Sequence, residues 1–295
     1  MRSIKTLLED QILRVWGRGD THLVDQNYAP NVNDHMPLPG QTFSLEALKK
    51  VVEDFRIAFP DLTMHLDGTL SAGPMGMDFW TLNGTHSGPL FGLEPTGKRV
   101  RFSGMDMVKV SSGKVTDLWH VEELGPMFTQ VGAPMPPFKP AFDAPIAPVQ
   151  TYLANAQDAR NHALRDLAER HIVGIWAQCD PALARDMYTP DVKDMQPAPN
   201  QRPGVEGIID VLLWLRKAVP DLEMHIQTYL IDPPYAADRW IMTGTHTGAP
   251  LFGIEPAGKT FWMNGMDVIH VTQEDRIDAV WHVEEMWQLA GQLKR

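Results

Sequence analysis

Two aspartate–histidine pairs are the side chains here best suited to moving a proton. Asp106 lies in Gly104-Met105-Asp106 and His120 in Trp119-His120-Val121-Glu122-Glu123. Asp267 and His282 occupy the same places in Gly265-Met266-Asp267 and Trp281-His282-Val283-Glu284-Glu285. Strand alternation puts Val100, Phe102, Gly104, Asp106, Val108 and Val110 on one face, so Asp106 is a carboxylate in an otherwise apolar row. Phe261, Met263, Gly265, Asp267, Ile269 and Val271 repeat the pattern. A carboxylate deprived of water is harder to ionise unless a partner compensates, and a general acid or base is often tuned this way. The competing reading is an aspartate that holds a turn or pairs with a buried histidine. Recurrence does not decide between them, because duplication also preserves structural residues. His120 shares a face with Leu118 and Glu122, and an imidazole works near neutral pH without large tuning. A satisfied core histidine is its alternative. His86 shares a face with Trp80 and Leu82 just before the Ser87-Gly88 turn. It is placed at a pocket mouth, with His246 as counterpart, or else caps the strand end. Glu122 and Glu123 are adjacent and point to opposite faces, so they do not serve one site together.

The elements that must position these groups occur twice. Phe59-Pro60-Asp61-Leu62 matches Val219-Pro220-Asp221-Leu222, and Gly84-Thr85-His86 matches Gly244-Thr245-His246. The offset is 160 residues, becoming 161 after Ala249-Pro250 and 162 after the Gln273–Arg276 turn. A repeat of this length is a whole domain rather than a solenoid unit. The expected domains are 1–131 and 162–295. Residues 132–161 form a connector and the start of a helix; the stretch 131–150 holds six prolines. Each copy reads as a helix (4–17, 162–178), a short helix (23–28, 183–188), and a loop beginning at Asp34 or Asp194. A third helix from Ser44 to Phe59 follows, ended by Pro60. Strands over 63–72, 77–85, 99–110 and 115–122 then run to the end of the copy. Helices first and an antiparallel meander after make an α+β fold.

The net charge of −11 is spread over many short stretches. That argues against nucleic-acid or anionic-membrane partners, which need a clustered basic patch. A single cysteine, Cys179, rules out an intrachain disulfide and a cysteine-built metal site, and favours a reducing, cytoplasmic setting. No apolar run reaches the ~20 residues of a membrane-spanning helix, and the N-terminus does not read as a signal peptide.

The run Gly84-Thr85-His86-Ser87-Gly88, Leu93-Glu94-Pro95-Thr96-Gly97-Lys98, Gly104-Met105-Asp106 and Trp119-His120 resembles the SnoaL-like polyketide cyclases of the nuclear-transport-factor-2-like (NTF2-like) superfamily. So does Gly244-Thr245-His246-Thr247-Gly248, Ile254-Glu255-Pro256-Ala257-Gly258-Lys259, Gly265-Met266-Asp267 and Trp281-His282. The resemblance implies two tandem cones, each a curved antiparallel sheet around helices with an apolar cavity open at one end. It also implies ring closure by intramolecular aldol condensation of a polyketide ester, without metal or organic cofactor. In that chemistry an acidic residue acts as acid/base and a nearby histidine assists. The family often carries an aspartate after the last-strand tryptophan; His120 and His282 stand there in this chain.

On this reading Asp106 and Asp267 take a proton α to a carbonyl. His120 and His282 polarise the oxygen or return the proton, with His86 and His246 orienting. Asp34, His35, Trp80, Phe102, Met105, Trp119 and Glu122 are the substrate-binding candidates of the first copy. Asp194, Trp240, Met263, Trp281 and Glu284 are those of the second. Asp34-His35 becomes Asp194-Met195, which favours the first copy as the active one. A non-catalytic small-molecule binder is the competing class, and the 16 methionines suit an adaptable cavity. Epoxide hydrolysis is the remaining alternative; it needs an arginine, but Arg101 faces outward and Trp262 replaces it. A metal site from His86, Asp106 and His120 lacks a close-spaced ligand motif. Domains of this kind usually pair through their outer sheet faces. The expectation is therefore an intrachain pseudo-dimer using Trp119, Val121, Trp281 and Val283, with further homo-oligomers left open.

Overall fold

In the computed structural model, which describes residues 2–37, 43–134 and 146–293, helix α1 (Ile4–Asp10) starts at Ser3. The Ser3 side chain accepts from the Thr6 N–H, satisfying one donor that a helix start leaves open. The helix runs on as a π-helical segment, Gln11–Trp16. Leu7, Leu8, Ile12 and Val15 form its buried stripe, and Gln11 is buried with them. A 3-10 turn (Thr21–Leu23) and α2 (Val24–Asn27) lead into β1 (Tyr28–Asp34). Helix α3 (Leu45–Ala58) is capped by Ser44, which accepts from the Ala47 N–H. Strands β2 (Thr63–Ala72), β3 (Met75–Thr85), β4 (Arg99–Ser111) and β5 (Lys114–Glu122) follow, then α4 (Leu124–Val131).

The first sheet has the order β1-β5-β4-β3-β2. Strands β2 to β5 are an antiparallel meander, and β1 joins β5 in parallel. Leu7, Leu8 and Val15 of the first helix and Leu48 and Val52 of α3 pack with Val108 and Leu118, so the helices cover the face that carries Asp106 and His120. Burying each such aliphatic side chain contributes about 1.5–3 kcal/mol.

The second unit repeats this order. It has α5 (Ala159–Glu169), a π-helical segment Arg170–Ala177, α6 (Pro181–Met187), β7 (Tyr188–Asp194) and α7 (Val205–Ala218). Then come β8 (Glu223–Asp232), β9 (Tyr235–His246), β10 (Lys259–Val271), β11 (Ile277–Glu284) and α8 (Met286–Leu293). Its sheet has six strands, because β6 (Gln150–Leu153) adds in parallel to β8.

Three expectations are corrected. Asp34 and Asp194 end strands rather than open loops, since β1 and β7 pair with the last strand of their own sheets. Each copy ends in a helix: Leu124, Met127, Phe128 and Val131 bury one face of α4 at helical spacing. The segment read as connector and continuous helix contributes β6, and its helix starts only at Ala159, behind the Asp158 cap. Residues 135–145, the proline-rich core of the connector, lie outside the described residues. No helix among the described residues is long and apolar enough to cross a membrane.

Candidate active site

Register decides which side chains of the first sheet meet. Asp78 lies opposite Asp106 across β3–β4, and Asp106 lies opposite His120 across β4–β5. Trp80 lies opposite Gly104, two residues from each aspartate, and its Nε1–H donates to Asp106 Oδ2 at 3.2 Å. The indole fits because Gly104 has no side chain: a Cβ there would lie 2.2 Å from Trp80 Cζ2. Gly104→Ala is therefore expected to push the indole off Asp106. The predicted cost is about 1–3 kcal/mol from overpacking, read by urea denaturation, with a matching change in tryptophan fluorescence.

His120 is held from both sides. Its Nδ1 lies 2.7 Å from Glu122 Oε1 and its Nε2 lies 3.2 Å from Asp34 Oδ2. Asp34 is brought there by the parallel β1–β5 pairing and is steadied by the Met36 N–H, which donates to Oδ1 at 2.8 Å. Burial disfavours the imidazolium, but Glu122 and Asp34 outweigh it and lift the pKa of His120 well above its ordinary value. Burial also raises Asp106, from the usual 3.8 to about 6, with His120 pulling it back and Glu122 pushing it up. Asp78, fully buried and facing the Asp106 charge, is raised well above the usual carboxylate range. The pair therefore sets a carboxyl pushed towards its protonated form beside one raised to about 6. Because the two interact, they titrate as a unit.

These groups open onto a cavity. Trp16, Phe55, Met64, Leu82, Phe102 and Leu124 supply apolar wall; Asp34, Trp80, Asp106, His120 and Glu122 line it too. The ligand atoms of Asp106, His120 and Glu122 lie within 4.8 Å of one another. That is a cation-sized arrangement, but a divalent ion would have to displace the imidazolium proton.

Not every candidate reaches the cavity. His86 packs on Phe59 and lies 3.1 Å from Thr96 Oγ1; burial lowers its pKa, and it is not among the lining residues. His246 is buried with Nε2 on the Ala249 carbonyl at 2.9 Å. Met105 and Trp119 flank Asp106 and His120 in sequence, so alternation turns them to the opposite sheet face. His35 stacks on Trp119 at 4.3 Å and bonds Asp117. Trp281 likewise faces away, edge-on to Tyr235. Arg101 is exposed, so the arginine that epoxide hydrolysis requires is not at the site.

The second unit rebuilds the arrangement with altered partners. His282 lies 2.7 Å from Glu284 and 3.0 Å from Asp194, and its pKa is raised by those carboxylates against burial. Gln201 donates to Asp194 Oδ2 at 2.8 Å. Asp238 lies opposite Asp267 and is raised by burial and by that charge. Trp240 Nε1–H donates to Asp267 Oδ1 at 3.1 Å, over Gly265, and Met263 takes the place of Phe102. The other Asp267 oxygen lies 3.3 Å from His171 Nε2, whose Nδ1 lies 3.0 Å from the Tyr188 hydroxyl. Sequence reasoning passed over His171, Tyr188 and their counterparts Gln11 and Tyr28. The signal was present: Gln11 and His171 interrupt the apolar stripe of the first helix, between Leu8 and Ile12 and between Ala168 and Ile172.

A family model, SnoaL-like polyketide cyclase, matches twice, over residues 6–131 and 166–293. TsrD from Streptomyces laurentii is 21% identical with a TM-score of 0.41, covering 44% of this chain and 96% of its own. IdmH from Streptomyces antibioticus is 22% identical with a TM-score of 0.39, covering 43% and 97%. A SnoaL-like polyketide cyclase from Agrobacterium tumefaciens is 17% identical with a TM-score of 0.38, covering 45% and 100%. No curated protein sequence matches significantly. With two α+β domains, each matched by that family model over nearly its whole length, the chain belongs to the SnoaL-like polyketide cyclase family.

Proposed function

We propose that the chain is a cofactor-independent acid/base enzyme of the cyclase, isomerase or lyase kind. It acts in the first domain on an apolar, carbonyl-bearing small molecule. The observation that carries this reading is Asp106: a carboxyl tuned to about 6, beside a buried imidazolium and open to an apolar cavity. A base with that pKa is largely ionised at neutral pH yet retains driving force for proton transfer. Asp106 takes the proton from the carbon α to the carbonyl, and the C–H electron pair becomes the enolate double bond. The enolate carbon then attacks a second carbonyl in ring closure, or is reprotonated elsewhere in isomerisation. Asp106 returns the proton in either case. His120 has both ring nitrogens committed to carboxylates, so its role is to hold positive charge beside Asp106 rather than to touch the substrate.

Exchange of the benzylic α-protons of 2-tetralone in D₂O, followed by proton NMR, tests this. The protein is expected to accelerate exchange with an acid limb near pH 6, and Asp106→Asn is expected to lose the acceleration. Exchange by Asp106→Asn at the wild-type rate would overturn the reading.

A further inference from the structure

Residues 11 and 171 hold a difference between the copies that bears directly on the acid. In the second domain His171, Tyr188 and Asp267 form a closed chain: phenol to imidazole, imidazole to carboxylate. With Trp240 on its other oxygen, Asp267 has both oxygens engaged by the protein itself. In the first domain the same positions are Gln11, Tyr28 and Asp106, and all three line the cavity. An amide cannot reproduce the imidazole bridge. Among the described residues Gln11 Oε1 is buried with no hydrogen-bond partner and the Tyr28 hydroxyl makes no hydrogen bond, although the two residues are only 4% and 2% exposed and both line the cavity. Two uncommitted polar side chains buried beside an ionisable acid are costly unless something else satisfies them.

We infer that Gln11 and Tyr28 are the oxygen-recognition pair of the first domain, donating to a ketone oxygen or to the enolate oxygen that replaces it. The substrate class is thereby narrowed to ketones that seat their oxygen at the first helix and β1 while an α-carbon faces Asp106. Burial, reinforced by Asp106, Asp78 and Asp34, raises the Tyr28 phenol well above its ordinary pKa, so it remains a donor throughout the neutral range. The Gln11 amide is a second donor once it turns its Nε2 towards the cavity. Two donors bonded to an oxygen that gains charge stabilise the enolate more than the ketone, which is the condition for accelerating its formation. In the second domain His171 fills the ligand's place against Asp267, so that copy does not present the same site. This inference rests on the acid/base reading of Asp106, but binding tests it separately.

The probe is 2-naphthol, the aromatic counterpart of the 2-tetralone enol, with naphthalene as the hydroxyl-free control, both titrated by fluorescence on the full chain. Tyr28→Phe and Gln11→Leu, which keep shape and remove the polar group, are each expected to weaken 2-naphthol by roughly three- to tenfold. Naphthalene affinity should stay unchanged, and the acid limb of 2-tetralone exchange should stay near pH 6. A residue with a merely structural role would move both ligands alike. Equal loss for both ligands, no loss for either, or no binding of 2-naphthol to the wild type would overturn the inference. Should the hydroxyl-specific loss appear while Asp106→Asn retains exchange, recognition stands and the catalytic assignment falls.

Discussion

Asp106→Asn is expected to yield a protein that is catalytically silent yet more stable than the wild type. Asparagine keeps an oxygen to accept the Trp80 Nε1–H but never has to ionise in the cavity. The gap between the ordinary 3.8 and about 6 for Asp106 corresponds to roughly 3 kcal/mol against folding once the group is charged. The folded state holds this proton more tightly than the unfolded chain does. This contribution is therefore zero below about pH 4, grows as pH rises towards 6, and is complete above it. Urea denaturation at pH 4 and pH 7.5 checks the sign. The variant and wild type should coincide at the lower pH, and the variant should be about 1–3 kcal/mol more stable at the higher. At the same time 2-tetralone exchange should fall to the uncatalysed rate. Stability given up for a base that functions near neutrality is a common trade at active sites. Equal stabilities at pH 7.5 would mean that Asp106 is not desolvated.

Removing His120 is expected to have the opposite effect on folding. Among the described residues that line the cavity it is the only one able to carry positive charge, and it faces Asp34, Glu122 and Asp106. His120→Ala leaves three carboxyl groups without their cation; breaking a buried ion pair from one side costs about 3–5 kcal/mol. His120→Gln retains some hydrogen bonding but not the charge, and is expected to fold well enough for kinetics. Because His120 pulls the Asp106 pKa down, the acid limb of exchange in His120→Gln should move upward by roughly one pH unit or more. An unmoved limb would mean that the imidazolium does not act on Asp106.

The strand positions of Asp106 and His120 were legible because period-2 alternation in β4 and β5 is clean, and the same rule turns Met105 and Trp119 to the opposite face. The duplication supplied the domain count, and the motifs around Gly104 and Trp119 supplied the family. What stayed hidden depends on contacts distant in sequence. Nothing local marks Asn31-Val32-Asn33-Asp34 as a strand, since its pairing partner lies on β5. His86 keeps polar company in sequence, but its partner Thr96 and neighbour Phe59 close it away from the cavity. Asp78 went unremarked because Met77 and Phe79 make its surroundings read as ordinary core, and only the register with Asp106 gives it a role. Gln11 could have been found as a polar break in an apolar stripe; its lack of a partner could not.

The bond between Asp34 and His120 spans 86 residues, and that between Asp194 and His282 spans 88. In each copy one half of the charged cluster is synthesised near the start and the other near the end, and β1 or β7 docks only once the final strand exists. Closing so long a loop is entropically slow and precedes any gain from the contact. No incomplete stretch of either domain therefore carries the assembled site. A nascent or truncated chain leaves these carboxylates without their imidazole, and the cluster is complete only when the last strand seats. The long-range contact thus makes assembly of the site a late event in the folding of each domain.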